Sequence, residues 1–317
     1  MAFSTDGQRF ASGSEDGIIE IMDMARPGEI LFTLEGHDSS VYAIIFSTSG
    51  KMLATQCAFL VKIWNIEASG ECLHTFQAGQ IELRLAITCH WSMAFSTDDS
   101  KFAFSQGENA IEVHDLVDQS MHKLELEYVS CLVFSPDGLS LAAGDMHGNV
   151  KVWDLRTKDA PKWIFESDGS SLAIAYSSDG KLLAQATSTG EISVWQIAAE
   201  SCLLKLKTEW QIEQLSFSPD GRSLMTDHGR LMPDEWPSNT ETQKDGIQNN
   251  DDQDEPSNVR FTIQGYGIDF DGAWLTKDGE RIVWLPPEHR PSSALVMDSV
   301  IAIRNSSDQL MMFSFRN

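Results

Sequence analysis

The chain has 317 residues, of which 42% are hydrophobic and 9% aromatic, so it can bury a sizeable core and global disorder is disfavoured. Its 47 acidic residues outnumber the 23 basic ones, and the formal charge of −24 disfavours nucleic acid and anionic membrane surfaces as partners. Five scattered cysteines without a CxxC pair argue against a disulfide framework or a structural zinc site, and favour a reducing, cytoplasmic location. No apolar run reaches the roughly 18 residues of a membrane span, so we expect no membrane insertion.

One short pattern recurs along the chain at intervals of roughly 40 residues. It consists of an aromatic residue followed by Ser, any residue, Asp and Gly. The copies, in chain order, begin at Phe3, Phe46, Phe95, Phe134, Tyr176 and Phe217. The copy at Phe46, FSTSG, has Ser in place of Asp, and the copy at Phe95, FSTDD, has Asp in place of Gly. A degraded copy, LTKDG, begins at Leu275. A fixed period of this length is typical of a repeat architecture, so the copies predict one structural unit per interval.

Each copy is followed by the same order of predicted elements. The Ser-Pro-Asp-Gly sequence at 135–138 suits a type I turn, and a short apolar run comes after it. A Gly-containing turn then leads into an alternating strand such as VKVWDL, and a further β segment precedes the next copy. Four short strands per repeat, with no helical periodicity between them, predict the four-stranded antiparallel blades of an all-β propeller.

Several residues at fixed repeat positions resemble those of WD-repeat proteins. In that family a His, a Ser or Thr, an Asp and a Trp of one blade form a buried hydrogen-bonded network. Here the second repeat has the His, Thr and Trp but lacks the Asp, and the fourth has His147 where the Asp belongs. The predicted structural positions are Asp16, His37, Thr55, Trp64, Trp153, Asp154 and Trp195. The resemblance therefore implies degenerate repeats that are held together mainly by apolar packing.

We expect seven blades, divided by one insertion. Residues 1–231 hold blades one to six, residues 232–258 form an acidic disordered insert, and residues 259–317 form a final degenerate blade. The insert contains eight acidic residues and one lysine, with no ligand spacing typical of a calcium loop. Because the chain starts near the end of an expected first strand, we expect the first blade to be incomplete. Either the ring then has a weak seam, or the sequence is a C-terminal piece of a longer protein. We favour the second.

The last part of the chain carries a second, narrower resemblance. Trp274 and the sequence WLPPEHRP at 284–291 resemble the final blade of WD-repeat regions at the C-terminus of fungal NACHT-type receptor proteins, including those related to vegetative incompatibility. This resemblance implies a ligand-sensing or scaffold role in a receptor-like protein. The phosphate-binding GxxxxGK[ST] motif is absent from the sequence, so a nucleotide-binding module would have to lie upstream of Met1.

The sequence holds no recognisable catalytic arrangement. The eight histidines form neither HxxxH nor HExxH, and no GxSxG elbow occurs. We therefore predict a non-enzymatic protein-interaction platform with no cofactor and no metal, whose partners are other proteins. Trp163 and Trp236, which lie beside loop-like sequence, are the predicted partner contacts. The alternatives are a cytoplasmic WD-repeat adaptor, for example in a mitochondrial fission or ubiquitin-ligase assembly, and a propeller hydrolase.

Overall fold

The fold is known from a computed structural model of the chain. The structure describes residues 1–26, 29–67, 69–79, 92–107, 109–157, 160–234, 260–269, 271–307 and 309–315. Most of the predicted acidic insert, together with Trp236, lies outside these ranges.

The first four sheets each have four strands, paired antiparallel in chain order. They comprise β1 (Ala2–Phe3), β2 (Arg9–Gly13), β3 (Ile19–Asp23) and β4 (Ile30–Leu34) in sheet one; β5 (Ala43–Phe46), β6 (Met52–Gln56), β7 (Leu60–Asn65) and β8 (Glu71–Gln77) in sheet two; β9 (Met93–Phe95), β10 (Lys101–Gln106), β11 (Ala110–Asp115) and β12 (Met121–Glu125) in sheet three; and β13 (Val129–Phe134), β14 (Ser140–Asp145), β15 (Val150–Asp154) and β16 (Trp163–Phe165) in sheet four.

Sheets five and six also have four strands, whereas sheets seven and eight have three each within the described ranges. They comprise β17 (Ser171–Tyr176), β18 (Leu182–Thr187), β19 (Glu191–Gln196) and β20 (Ser201–Lys207) in sheet five; β21 (Leu215–Phe217), β22 (Leu224–Thr226), β23 (Gly229–Pro233) and β24 (Phe261–Gln264) in sheet six; β25 (Tyr266–Ile268), β26 (Trp274–Lys277) and β27 (Glu280–Trp284) in sheet seven; and β28 (Pro291–Met297), β29 (Val300–Asn305) and β30 (Leu310–Ser314) in sheet eight.

The recurring Ser-x-Asp-Gly sequence builds the turn between the first and second strands of a sheet. In sheet four the Gly138 amide donates to the Ser135 carbonyl at 2.9 Å, and the Ser135 hydroxyl donates to Asp137 at 2.5 Å. Gly138 has a φ of 65°, which favours glycine because it has no Cβ. The same Gly-to-Ser bond closes the corresponding turns at Ser4 and Ser177. The hydrogen bonds of this turn therefore explain why Ser, Asp and Gly recur in the sequence.

The core consists of apolar layers between neighbouring sheets. Between sheets three and four, for example, Ile111 and Val113 of β11 pack against Leu141 and Trp153. All four side chains are at most 2% exposed. Burying an aliphatic side chain of this size contributes about 1.5–3 kcal/mol, so the layers between sheets supply most of the stability of the fold.

The sheets follow one another around a closed ring. β28 of sheet eight contacts β1 of sheet one, and the Arg304 guanidinium donates to the carbonyl of Gly13 at 2.5 Å. The Gln214 amide, just before β21, donates to the carbonyl of Ala294 at 2.8 Å. Sheets six and eight therefore meet beside their first strands. Sheet seven lies outside this contact, with β25 packed on β23 and β29.

The prediction of seven blades is wrong, because the structure contains eight sheets. The repeat copy at Leu275 does not mark a first-to-second strand turn. Its Asp278 and Gly279 instead form the hairpin between β26 and β27. The first and second strands of sheet seven, β25 and β26, are instead joined after Asp269, where the Gly272 amide donates to the Asp269 carbonyl at 2.9 Å. Two three-stranded sheets thus occupy the region that was predicted as one blade.

Sheet one also differs from the expected incomplete blade. All four of its strands are present, although β1 has only two residues, Ala2 and Phe3. Phe3 pairs with Phe10 of β2, and the two rings pack edge to face at 5.0 Å between centroids. This short strand is sufficient to bring sheet one against sheet eight.

Candidate interaction surface

The best-preserved group of repeat residues lies between sheets one and two. Trp64 on β7 donates its indole N–H to the hydroxyl of Thr55 on β6 at 2.8 Å. His37, in the connection before β5, places Nε2 2.7 Å from the same hydroxyl. All three side chains are buried. The group ties the loop that enters sheet two to the second and third strands of that sheet, so its role is structural.

The histidine of this group lacks the acidic partner that the resemblance leads one to look for. Within the described residues, Nδ1 of His37 is buried and has no hydrogen-bond partner. Burial, and to a lesser extent the charge of Lys62, lower the pKa of His37 to about 4. The ring is therefore neutral at pH 7, which suits a buried position better than a catalytic or sensing one.

The remaining repeat positions lie in separate sheets and do not converge. Trp153 in sheet four and Trp195 in sheet five are 2% and 5% exposed, and Trp195 stacks on Phe165 at 5.0 Å between centroids. Asp154 accepts a bond from Arg156 at 2.7 Å, and this contact helps to lower the pKa of Asp154 to about 2. Asp16 lies in an exposed turn, where it accepts a bond from the Ser14 hydroxyl.

Trp163, a predicted partner contact, begins β16 and is half-buried. Lys162 Nζ lies 4.4 Å from the centre of its ring, and the ring also packs against the core between sheets four and five. Part of the surface of the Trp163 ring is therefore covered by contacts within the chain. Trp236, the other predicted contact, lies outside the described residues.

The most distinctive cavity lies where sheets six, seven and eight meet, and we call it the upper cavity. Its volume is about 470 Å³. Its wall includes Trp210 and His228, and five carboxylate side chains: Glu209, Glu213, Asp227, Asp269 and Asp271. None of these residues was predicted as a site, because they come from loops that do not repeat.

His228 holds the two sides of the upper cavity together. Its Nδ1 lies 2.6 Å from the carbonyl oxygen of Ile268, and its Nε2 lies 2.8 Å from the carbonyl oxygen of Gln211. Carbonyls only accept, so both bonds form together only when both ring nitrogens carry a proton. The carboxylate of Asp227 is 3.7 Å from Nε2. Burial raises the pKa of Asp227 itself.

The charge of the upper cavity is only partly neutralised from within. Arg281 pairs with Asp269 and lies 3.7 Å from Asp271. Among the residues that the structure describes, Glu209 and Glu213 form no ion pair. No group of three or more His, Cys, Asp or Glu side chains in the described ranges is arranged to hold a metal ion. The carboxylates are therefore placed to attract a cationic side chain.

A larger cavity lies at the opposite end of the same junction. Its volume is about 890 Å³, and it reaches the turn at Thr5–Gly7 of sheet one. Arg230 and Lys277 stand in its wall together with Asp6 and Asp298. Its charges are mixed, so it has no clear preference for one ligand chemistry. No helix in the described part of the chain is long and apolar enough to cross a membrane.

Comparison with known proteins identifies the repeat unit of these sheets. The WD domain, G-beta repeat family (WD40) matches residues 1–23, 28–65 and 119–154. These three segments of the chain are similar to WD40 repeats. The matched segments cover strands of sheets one to four.

Several curated proteins are similar to a larger part of the chain. Apoptotic protease-activating factor 1 of Rattus norvegicus is 26% identical over 71% of this chain and 18% of its own length. Pre-mRNA-processing factor 19 homolog 2 of Arabidopsis thaliana is 28% identical over 59% of this chain and 35% of its own. The transcriptional corepressor LEUNIG_HOMOLOG of Arabidopsis thaliana is 23% identical over 69% of this chain and 27% of its own length. The chain thus spans only about a third or less of each relative.

Proposed function

We propose that the chain is a non-catalytic protein-interaction platform, and that a basic segment of a partner protein binds in the upper cavity. The observation that carries this proposal is the unneutralised charge of Glu209 and Glu213 beside a cavity with walls from three sheets. The WD40 repeats support the general role, since this domain mediates protein–protein interactions. The strong net negative charge of the chain also favours a basic partner.

The rigidity of the upper cavity suits this role. Trp210 packs against the core between sheets five and six, and the centre of its ring lies 5.5 Å from that of His228. His228 fixes Ile268 and Gln211 in turn. A preorganised wall loses little conformational entropy when it binds, and a charge-assisted hydrogen bond in a partly buried site contributes about 1.5–3 kcal/mol. A guanidinium group meets these carboxylates with better geometry than an ammonium group.

At a finer level, we propose a scaffold or ligand-sensing part of a cytoplasmic receptor-like protein. The resemblance of the Trp274 and 284–291 region to fungal receptor proteins supports this, and so does the similarity to apoptotic protease-activating factor 1. Sequencing of the full transcript tests it. A nucleotide-binding module in the same reading frame would support the receptor, whereas a start and stop that enclose only the WD40 region would favour an adaptor.

The binding site is tested by comparative capture from a cell lysate followed by mass spectrometry. The variant Glu209→Lys/Glu213→Lys reverses the unpaired charge of the upper cavity. Its matched control is Glu125→Lys/Glu127→Lys, an equal charge change at two exposed positions, the last residue of β12 and the second residue after it. We expect a basic protein to be captured by the wild type and the control but not by the cavity variant. Equal recovery with all three proteins would refute the site.

A further inference from the structure

Strand β27 has an open outer edge. In sheets one to six the third strand is paired on both sides, because a fourth strand follows it. After β27 the chain instead enters a short 3₁₀ helix, Pro287–His289, and passes directly to β28. Pro286 and Pro287 have no N–H to donate to a sheet, which is a physical reason for the missing strand. No strand of the described chain pairs with the outer edge of β27.

Two large apolar side chains of this edge strand are exposed to solvent. Ile282 is 43% exposed and Trp284 is 50% exposed. The tryptophans on the third strands of sheets four and five, Trp153 and Trp195, are nearly fully buried. An edge strand with large exposed apolar residues is a template for pairing with another chain.

The backbone of β27 is also oriented to accept a partner strand. The Leu285 amide donates to the carbonyl of Ala273, at 2.7 Å, on the β26 side. Hydrogen bonding alternates along an antiparallel strand, so the N–H and C=O of Trp284, the preceding residue, face the open edge. A partner segment can therefore bond to the backbone at the same residue whose ring it covers.

The complete sheets show what kind of strand fits such an edge. In sheet five, β19 begins with Glu191, and Lys205 of the fourth strand lies 3.1 Å from its carboxylate. In sheet three, Lys123 of the fourth strand pairs in the same way with Glu112 of the third, at 3.0 Å. β27 likewise begins with a glutamate, Glu280, which forms no ion pair within the described ranges.

We propose that β27 is a docking strand, which adds an extended segment of a partner protein in the antiparallel direction. The segment alternates apolar and polar residues and carries a lysine or arginine that faces Glu280. Strand addition of this kind takes its affinity from backbone hydrogen bonds and its specificity from alternate side chains. The docking strand lies at the outer edge of sheet seven, so the inference goes beyond the proposed function, which uses the upper cavity.

The test measures binding of a labelled peptide to the full chain by fluorescence polarisation. The probe has the sequence of β20 with serine in place of cysteine, Ser-Ser-Leu-Leu-Lys-Leu-Lys. Trp284→Ala removes the exposed ring, and we expect binding to weaken about tenfold. Glu280→Lys opposes the lysines, and we expect binding to weaken about fivefold, with recovery when the peptide carries Glu in place of Lys. Ile164→Ala, on the outer strand of complete sheet four, is the matched control and leaves binding unchanged.

Three results would overturn the docking strand. They are the absence of saturable binding to the wild type, binding that neither Trp284→Ala nor Glu280→Lys alters, and a wild-type dimer that Trp284→Ala converts to a monomer. The dimer would mean that a second copy occupies the edge. The cavity variant Glu209→Lys/Glu213→Lys retains peptide binding if the docking strand is correct, so the two proposals fail separately.

Discussion

Replacing Thr55 by valine removes one hydroxyl from the buried contact between sheets one and two. Thr55 is fully buried. Because valine has nearly the same shape as threonine, the substitution leaves no large cavity. Trp64 loses the acceptor of its indole N–H, and His37 loses the partner of Nε2. A buried polar group left without a partner costs about 1–3 kcal/mol, so we expect the free energy of unfolding to fall by about 2–4 kcal/mol.

The assay is urea unfolding, followed by tryptophan fluorescence and far-ultraviolet circular dichroism. Thr75→Val is the matched control, because Thr75 is exposed on β8 of the same sheet. We expect that control to stay within about 0.5 kcal/mol of the wild type. If Thr55→Val also lost less than about 0.5 kcal/mol, the two hydrogen bonds would contribute nothing net and the structural role of the group would be refuted.

Two further predictions concern stability. Because the pKa of His37 is lowered from 6.5 to about 4 in the folded chain, the unfolded chain binds the extra proton between these values. The free energy of unfolding therefore falls by about 3 kcal/mol as the pH drops from 6.5 to 4. In urea melts at several pH values, His37→Gln should lack this dependence on pH. The same dependence in both proteins would contradict the role of His37. Trp153→Ala should lose about 3–5 kcal/mol, because its ring is buried, whereas His147→Ala alters a turn; equal losses in urea melts would contradict the repeat register.

The repeat was predictable because its turns have a local chemical requirement. In sheets one, four, five and six, the Ser hydroxyl donates to the Asp two residues later and a glycine with positive φ follows, so these copies share one sequence pattern. The Ser96 turn shows this even without glycine, since Asp99 takes a φ of 58° and the Ser96 hydroxyl donates to Asp98 at 2.7 Å. The alternating third strands were predictable for the same reason, since one face of each is buried in the layer between sheets.

The blade count was not predictable from the same pattern. In sheet seven, Ile268 and Asp269 stand where the repeat pattern has an aromatic residue and Ser. A search for that pattern therefore misses this turn. The similar sequence at Asp278 and Gly279 lies at a different hairpin of that sheet. Turns at different places in a sheet contain Asp and Gly alike, because Gly adopts a positive φ without steric cost and Asp tolerates one. Only the pairing of the strands distinguishes them.

The upper cavity was missed because it is assembled from distant segments. Trp210 precedes sheet six, His228 lies between two strands of that sheet, and Asp271 belongs to the turn of sheet seven. A search for repeats in the sequence compares each loop with the other repeats and does not show which loops lie next to one another in the fold. The spacing of Glu209 and Glu213 was a visible acidic feature, but nothing local to it indicates that a cavity lies beside it.

Hydrogen–deuterium exchange of the wild-type chain, alone and with the captured partner, tests the central claim most directly. If a basic segment binds in the upper cavity, the partner slows exchange at 209–213, 227–228, 268–269, 271–272 and 292–294, where that cavity has its wall. The far side of the ring, in sheets two to four, then exchanges at its free rate. Protection confined to sheets two to four, with no change around the cavity, would contradict the account.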